Sequence, residues 1–309
     1  MYLKKNIEQY LLKCKSQKNL DNKTIKAYKI DLMQFETFSR NKYDYMSKEC
    51  IESFLSELQS KQYAVKTLKR KVASLKAFFS YLNDEEIVLL NPFNKIKIKL
   101  REPIILPKTI SMKNLSILFN YIEDNLEEVK IHSYRYKETV RDRLILELLI
   151  TTGIRVSELC NLKKDDVMFS MNIIKIYGKG SRERIIPIYY HTLIDSIQLY
   201  LDVFSEELIQ SEYFFLNKRK KRLSAQSVRN MLKKYCVLLN INQNITPHMF
   251  RHTFATMLLD QDVDCRYIQR ILGHSSILTT QIYTHVTSNK LNQIMQHKNP
   301  RSKIGSNKG

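Results

Sequence analysis

Glycine and proline are scarce in this chain, six of each in 309 residues. A turn-dense all-β domain needs more of both, and a composition that is 43% hydrophobic is not that of a disordered chain, so a mostly helical protein is expected. No apolar run approaches the length of a membrane span; the longest, such as 144–150, reads as a helix face. The start, Met1-Tyr-Leu-Lys-Lys, leads into an amphipathic segment containing Glu8 and lacks the apolar stretch of a secretory signal. The five cysteines (Cys14, Cys50, Cys160, Cys236, Cys265) are odd in number, scattered and without CxxC spacing. They read as reduced thiols of a cytosolic protein, neither a disulfide framework nor a zinc site. Acidic residues are in deficit, 31 against 51 Lys and Arg, which leaves +20 at pH 7. Residues 1–100 hold 20 basic and 11 acidic side chains and residues 101–309 hold 31 and 20, so the excess is no detachable tail. Such a field attracts polyanions, nucleic acid ahead of an anionic membrane face.

The length fits one large or two medium domains. In the first ninety residues, Ile25, Tyr28, Leu32 and Phe35 recur at helical spacing with Lys26 and Lys29 on the polar side. A second helix is expected over 65–82, with Leu68, Val72, Leu75, Phe78 and Phe79 as its stripe. Lys66, Lys69, Arg70, Lys71 and Lys76 cover much of its remainder. Those cations either keep a helix soluble or track a phosphate backbone, and the charge of the whole chain favours DNA. Residues 91–108, with Pro92, Pro103 and Pro107 and with Lys95, Lys97, Lys99 and Arg101 among apolar residues, read as an extended basic linker. Beyond it, helical patterns at 136–152, 190–208, 223–239, 247–260 and 264–272 surround one β-hairpin, 172–177 and 184–188, closed by a Gly178-Lys-Gly turn. The fold class is therefore mainly α, with a helical N-terminal domain and a C-terminal α domain carrying a small antiparallel sheet.

Four stretches bear chemistry. In Thr151-Thr-Gly-Ile-Arg-Val-Ser-Glu-Leu, Gly153 closes a helix and Ser157 or a neighbour starts the next, which sets the Arg155 fork on a turn where it can hold anionic oxygens. Lys179, between Gly178 and Gly180, offers an ammonium at the hairpin tip. In Thr246-Pro-His-Met-Phe-Arg-His, Thr246 is an N-cap and Pro247 the first helical residue. His248 and Arg251 then share one face at a helix N-terminus, before a stripe of Phe250, Phe254, Met257 and Leu258. His252 reads as a packing or supporting residue. In Leu272-Gly-His-Ser-Ser-Ile-Leu-Thr-Thr-Gln-Ile-Tyr, Gly273 ends a helix, His274 sits on the turn and Tyr283 lies near the end of the next helix. Taken singly, each has a plain alternative: a surface arginine, a solubilising lysine, a histidine cap, a core tyrosine. Together they suit phosphodiester cleavage, in which arginines and histidines stabilise the transition state. A tyrosine is then the nucleophile and a lysine protonates the leaving 5′-oxygen. The sequence holds no acidic cluster for a pair of Mg²⁺ ions, so no metal or other cofactor is expected.

These motifs, in this order, resemble the tyrosine recombinase (phage integrase) family, most closely the bacterial Xer recombinases. Tyr283 follows His248 by 35 residues and His274 by nine, as in the Xer pattern. The first half resembles the family's core-binding domain more loosely. The resemblance implies a SAM-like helical DNA-binding domain over 1–90, a linker over 91–108 and a catalytic domain over 109–309 with a tail from about 286. It further implies that Tyr283 forms a 3′-phosphotyrosine and that Arg155 and Arg251 clamp the scissile phosphate. His274 would hydrogen-bond that phosphate, Lys179 act as general acid, His248 assist proton transfer and Glu158 orient the site from behind. The implied partners are double-stranded DNA sites, two of them bridged by a homo- or hetero-tetramer through a Holliday junction, with a second recombinase as an optional partner and no membrane. The tail, with Leu291 and Ile294, would dock on a neighbouring protomer or pack on its own domain. The run Lys218-Arg219-Lys220-Lys221-Arg222 reads generically as a nuclear localisation signal and, beside bacterial recombinases, as a phosphate-contacting loop.

Two other readings compete. A type IB topoisomerase shares the phosphotyrosine chemistry without strand exchange, and a catalytically idle DNA-binding regulator keeps the charge and fold. Only about ninety residues precede the linker, with no room for an added arm-binding module, which favours a simple Xer-like recombinase or a transposon or plasmid enzyme of the same design. The richness in Lys, Asn and Ile is consistent with an AT-rich bacterial genome, and the reduced thiols with a cytoplasmic enzyme.

Overall fold

A computed structural model describes residues 2–18, 20–40, 44–98, 100, 107–131, 133–178, 183–273 and 293–303. The chain divides into two units, Met1–Ile105 and Leu106–Gly309.

The first unit contains helices α1 (Tyr2–Ser16), α2 (Asn22–Ser39), α3 (Lys48–Ser60) and α4 (Val65–Asp84). Asp21 caps α2 by accepting from Lys23 N at 2.8 Å, and Ser47 caps α3 by accepting from Cys50 N at 3.2 Å, so orphan amides at both helix starts are satisfied. The expected stripe of α4, Leu68, Val72, Leu75, Phe78 and Phe79, is buried throughout. Phe35 meets Phe54 and Phe79 edge-on at centroid distances of 5.2 and 5.9 Å, each pair adding about 0.5–1.5 kcal/mol beyond the area it buries. Lys71 departs from the expected basic face. It is 5% exposed and turns inward, donating to Asp31 Oδ1 at 3.0 Å and Gln34 Oε1 at 2.6 Å beside the Tyr63 ring. Its position one step past the exposed arc of α4, opposite a buried carboxylate on α2, explains the reversal. The linker reading also needs correction. A 3₁₀ turn, Pro92–Lys95, is capped by Asn91, and Phe93 and Ile96 are buried in this unit's core, where Phe93 packs on Phe79 at 5.5 Å. Residues 92–96 therefore belong to the first unit, and Ile98 and Leu100 pack on the same core.

The second unit opens with α5 (Met112–Glu128), α6 (Tyr134–Thr152) and α7 (Val156–Leu159). Three strands follow, β1 (Val167–Met168), β2 (Ile173–Tyr177) and β3 (Glu183–Pro187). After them come α8 (His191–Val203), α9 (Ser205–Ile209), α10 (Ala225–Leu238), α11 (Pro247–Leu259) and α12 (Cys265–Leu272). The expected helix over 190–208 is broken at Phe204, giving α8 and α9. The expected hairpin gains a third antiparallel strand, order β1-β2-β3, with Ile174 opposite Ile186 and Ile176 opposite Arg184. Ile174, Ile176 and Ile186 point into the core. Residues 144–152 of α6 are buried on every side, as befits a central helix, and α5, α8 and α11 pack around it.

The described part of the tail packs on its own domain. Ile294 and Met295 are buried, Asn299 Nδ2 donates to the Thr151 carbonyl at 3.1 Å, and Arg301 Nε donates to Glu147 Oε1 at 2.9 Å while stacking on Phe119. Leu291 lies outside the described residues.

Candidate active site

The end of α6 is set by Gly153, whose φ of +59° is left-handed; a Cβ there would meet Leu272 Cδ2 and Phe254 Cδ1 at 2.7 Å. Glycine is required on both counts. Two residues on, Arg155 rather than Ser157 takes the N-cap of α7, and Glu158 accepts from the Arg155 amide at 3.0 Å through Oε2. The same carboxylate accepts from Arg155 Nη1 at 2.7 Å. A second arginine, Arg184 on β3, holds it with both prongs, Nη1 to Oε1 at 3.1 Å and Nη2 to Oε2 at 2.7 Å. Burial alone would raise the Glu158 pKa, but the hydrogen bonds and charge of Arg184, reinforced by Arg155, hold it below the usual carboxylate value.

Arg251, one turn into α11, is only 6% exposed. Its Nη1 donates to the Gly153 carbonyl at 2.8 Å and its Nη2 to the Leu272 carbonyl at 2.7 Å. Arg155 Nη2 donates to the Gly273 carbonyl at 3.2 Å. These acceptors lie at the C-terminal ends of α6 and α12, where carbonyls lack intrahelical donors and the helix dipole is negative. The two helix ends thus fix both guanidiniums. Desolvation and the neighbouring charge of Arg155 push the Arg251 pKa down to about 10.

His248 is exposed at the second position of α11. Its partial desolvation, then the charges of His252, Arg251, Arg229 and Arg155, keep its pKa below the ordinary 6.5, so the ring is neutral at pH 7. Thr246 holds the N-cap position with Pro247 after it, as expected, but its hydroxyl makes no capping bond. His252 is exposed, which overturns its reading as a packing residue. Three guanidiniums and one carboxylate leave the cluster positive, and an oxyanion between Arg155 and Arg251 would relieve their repulsion.

The fold therefore brings together Arg155, Glu158, His248 and Arg251. Lys179, His274 and Tyr283 lie outside the described residues. Arg184 escaped the sequence reading. In the sequence it stood as the first residue of the second hairpin strand and the last of the run Gly178-Lys-Gly-Ser-Arg-Glu-Arg, with no role attached. Among the expected DNA contacts, Lys66 and Lys69 are exposed on α4, whereas Arg70 pairs with the buried Asp31. Residues 218–222 form a tight turn in which Asn217 Oδ1 accepts from the amides of Arg219 and Lys221 at 2.8 and 3.2 Å. Lys218, Arg219, Lys220 and Lys221 stand exposed on it, while Arg222 donates to Asn161 Oδ1 at 2.7 Å and covers the Tyr213 ring. On α10, just beyond, Gln226, Arg229 and Asn230 form an exposed polar row, linked by Gln226 Nε2 to Asn230 Oδ1 at 2.9 Å.

A positive cluster built on Arg155, Arg184 and Arg251 in a mainly helical domain fits proteins that act on anionic substrates. Comparison with known proteins narrows the class. The model of the phage integrase family matches residues 120–290, and that of the phage integrase N-terminal SAM-like domain matches residues 7–86. A tyrosine recombinase of Agathobacter rectalis is 48% identical over 300 residues, spanning 97% of each chain. Tyrosine recombinase XerC of Thermodesulfovibrio yellowstonii is 35% identical over 96% of this chain and 97% of its own. The crystal structure of XerH site-specific recombinase bound to its difH substrate shares the fold, with a TM-score of 0.65 at 22% identity, covering 94% of this chain and 84% of that one. The chain belongs to the phage integrase family, and it is a tyrosine recombinase, an enzyme of site-specific DNA recombination. Among the described residues no helix is long and apolar enough to cross a membrane.

Proposed function

We propose that this protein cuts and rejoins two DNA sites through a 3′-phosphotyrosine and a Holliday junction. The observation that carries the reading is the arginine pair, Arg155 and Arg251, held by helix-end carbonyls and Glu158 in an arrangement that an anion would stabilise. The Tyr283 hydroxyl attacks the scissile phosphorus, and the bond to the 5′-oxygen breaks. Lys179 gives that oxygen a proton, and neutral His248 accepts the one that tyrosine loses. Arg155, Arg251 and His274 donate to the non-bridging oxygens as charge builds there. The freed 5′-hydroxyl then attacks the partner duplex's phosphotyrosine and releases Tyr283, so bond energy is retained and no ATP is consumed.

Lys66 and Lys69 in the first domain and the 218–221 turn in the second supply phosphate contacts. Gln226, Arg229 and Asn230 carry the donors and acceptors that read base edges. Arg70 and Arg222 contribute less, being committed to Asp31 and Asn161. Four protomers act on two sites in the bacterial cytoplasm, with a second recombinase as an optional partner. The test is a denaturing gel of the protein incubated with a nicked duplex bearing its site, beside Tyr283→Phe and a chelator control. A covalent adduct that needs Tyr283 and survives the chelator is expected. Tight binding without an adduct would favour an idle regulator, and supercoil relaxation without exchange a type IB topoisomerase.

A further inference from the structure

Arg184 has no assigned part in the reaction, yet it is as firmly bound to Glu158 as Arg155 is. Its side chain is 11% exposed, and both prongs rest on Glu158 at 3.1 and 2.7 Å. Its Nε is buried and unpartnered among the described residues, so no competing acceptor sets the fork's position. A Cβ on Gly273 would lie 3.0 Å from Arg184 Nη1. The guanidinium thus lies against the turn whose carbonyl accepts from Arg155 Nη2. One side chain on β3 therefore touches both groups that fix Arg155, the Glu158 carboxylate and the Gly273 turn.

We infer that Arg184 is a positioning residue for phosphodiester cleavage, acting through Glu158 on Arg155. The inference rests on the phosphate-clamp reading of Arg155. Paired only with Arg155, a carboxylate has two oxygens and several rotamers to offer. The second, bidentate partner fixes its plane, and the Arg155 fork is aimed by that plane. Arg184 also balances the charge, since a carboxylate shared by two guanidiniums leaves Arg155 more of its positive field for an incoming phosphate. Lysine, a point charge without the fork, would restore the charge and only part of the geometry.

The test uses the full chain and a nicked duplex carrying the sequence that the wild type enriches from a random duplex pool. Adduct formation at saturating DNA and the Kd for the same duplex are measured for Arg184→Ala, Arg184→Lys, Glu158→Gln and the Arg184→Ala/Glu158→Gln double variant. Arg184→Ala is expected to slow adduct formation about 100-fold, as misaimed groups do, with Kd changed less than about threefold. Arg184→Lys falls between it and the wild type, which keeps the test open if alanine impairs folding. The double variant is expected to be no more than about threefold slower than Arg184→Ala, because both substitutions break one linkage. A duplex with sulfur at the 5′-bridging position, whose leaving group needs no proton, is expected to leave the Arg184→Ala defect in place. Wild-type rates in both Arg184 variants, additive losses in the double variant, a Kd loss matching the rate loss, or rescue by sulfur would each overturn the inference. If the wild type itself forms no adduct on the duplex it binds, the phosphotyrosine reading fails first and this one with it.

Discussion

Arg155 and Arg251 donate to adjacent peptide carbonyls, those of Gly273 and Leu272, at 3.2 and 2.7 Å. Two residues from separate helices are thereby gauged against the same turn, the one that leads into His274. Arg251 has a second grip, the Gly153 carbonyl, two residues before Arg155. Moving either turn would disturb both cations.

Arg251→Lys retains a charge and forfeits the paired carbonyl bonds. Adduct formation is expected to fall about 10²–10³-fold, the usual loss when one donor to a developing oxyanion is displaced, while DNA binding changes little. Single-turnover cleavage of a nicked duplex at saturating protein measures it.

The two left-handed glycines should respond differently to alanine. At Gly153 the new Cβ meets the cores of Leu272 and Phe254 at 2.7 Å, so the left-handed penalty adds to overpacking, for about 2–4 kcal/mol in all. At Gly273 it meets only the Arg184 side chain, and about 1–2 kcal/mol is expected. Urea unfolding of both variants separates the cases; equal losses would mean that the Phe254 contact is not tight.

His248 gives the enzyme an acid limb. Its folded pKa lies below 6.5, so at a pH under 6.5 the unfolded chain takes up a proton that the folded chain resists. Stability therefore falls as pH drops through 6.5, and the loss is complete once pH is below the folded value. Adduct formation should fall over that lower range too, because the protonated ring accepts nothing. In His248→Gln the rate is lower throughout and that limb disappears, as profiles between about pH 5 and 8 will show.

Asp31 pairs with both Arg70 and the buried Lys71 and accepts from Ser74 Oγ at 3.2 Å. Asp31→Ala leaves the Lys71 ammonium buried with no carboxylate, which is expected to cost about 3–5 kcal/mol in denaturant unfolding. The double variant Asp31→Ala/Lys71→Met should recover most of that loss. Failure to recover would mean that Arg70 depends on Asp31 more than Lys71 does.

Most of the helices were legible because apolar residues recur at 3.6-residue spacing in α2, α4, α10 and α11, and because Pro247 marks the start of α11. The Arg155 turn was legible as well, since Gly153 is a stop signal in an otherwise glycine-poor chain. Periodicity is blind to which neighbour supplies a partner. Lys71 and Arg184 look like surface cations in their own elements, and only the buried Asp31 and Glu158, 40 and 26 residues away in sequence, turn them inward. Strand β1, two residues long, is too short for any alternation, and its existence depends on pairing with β2. The assignment of Phe93 to a core was hidden by the prolines and lysines around it.

The pairing of Arg301 with Glu147 spans 154 residues of sequence. A nascent chain leaving the ribosome has therefore synthesised Arg155, Arg184 and Arg251 well before it reaches the guanidinium that neutralises Glu147, a carboxylate with no solvent exposure in the finished fold. Until then the helix that ends in the Gly153 turn holds a carboxyl without its cation, a group that burial pushes toward its protonated form. Asn299, which satisfies the Thr151 carbonyl on the same helix, also comes late. The helix whose C-terminal turn positions the arginines is thus completed by side chains 148 and 154 residues further along the chain.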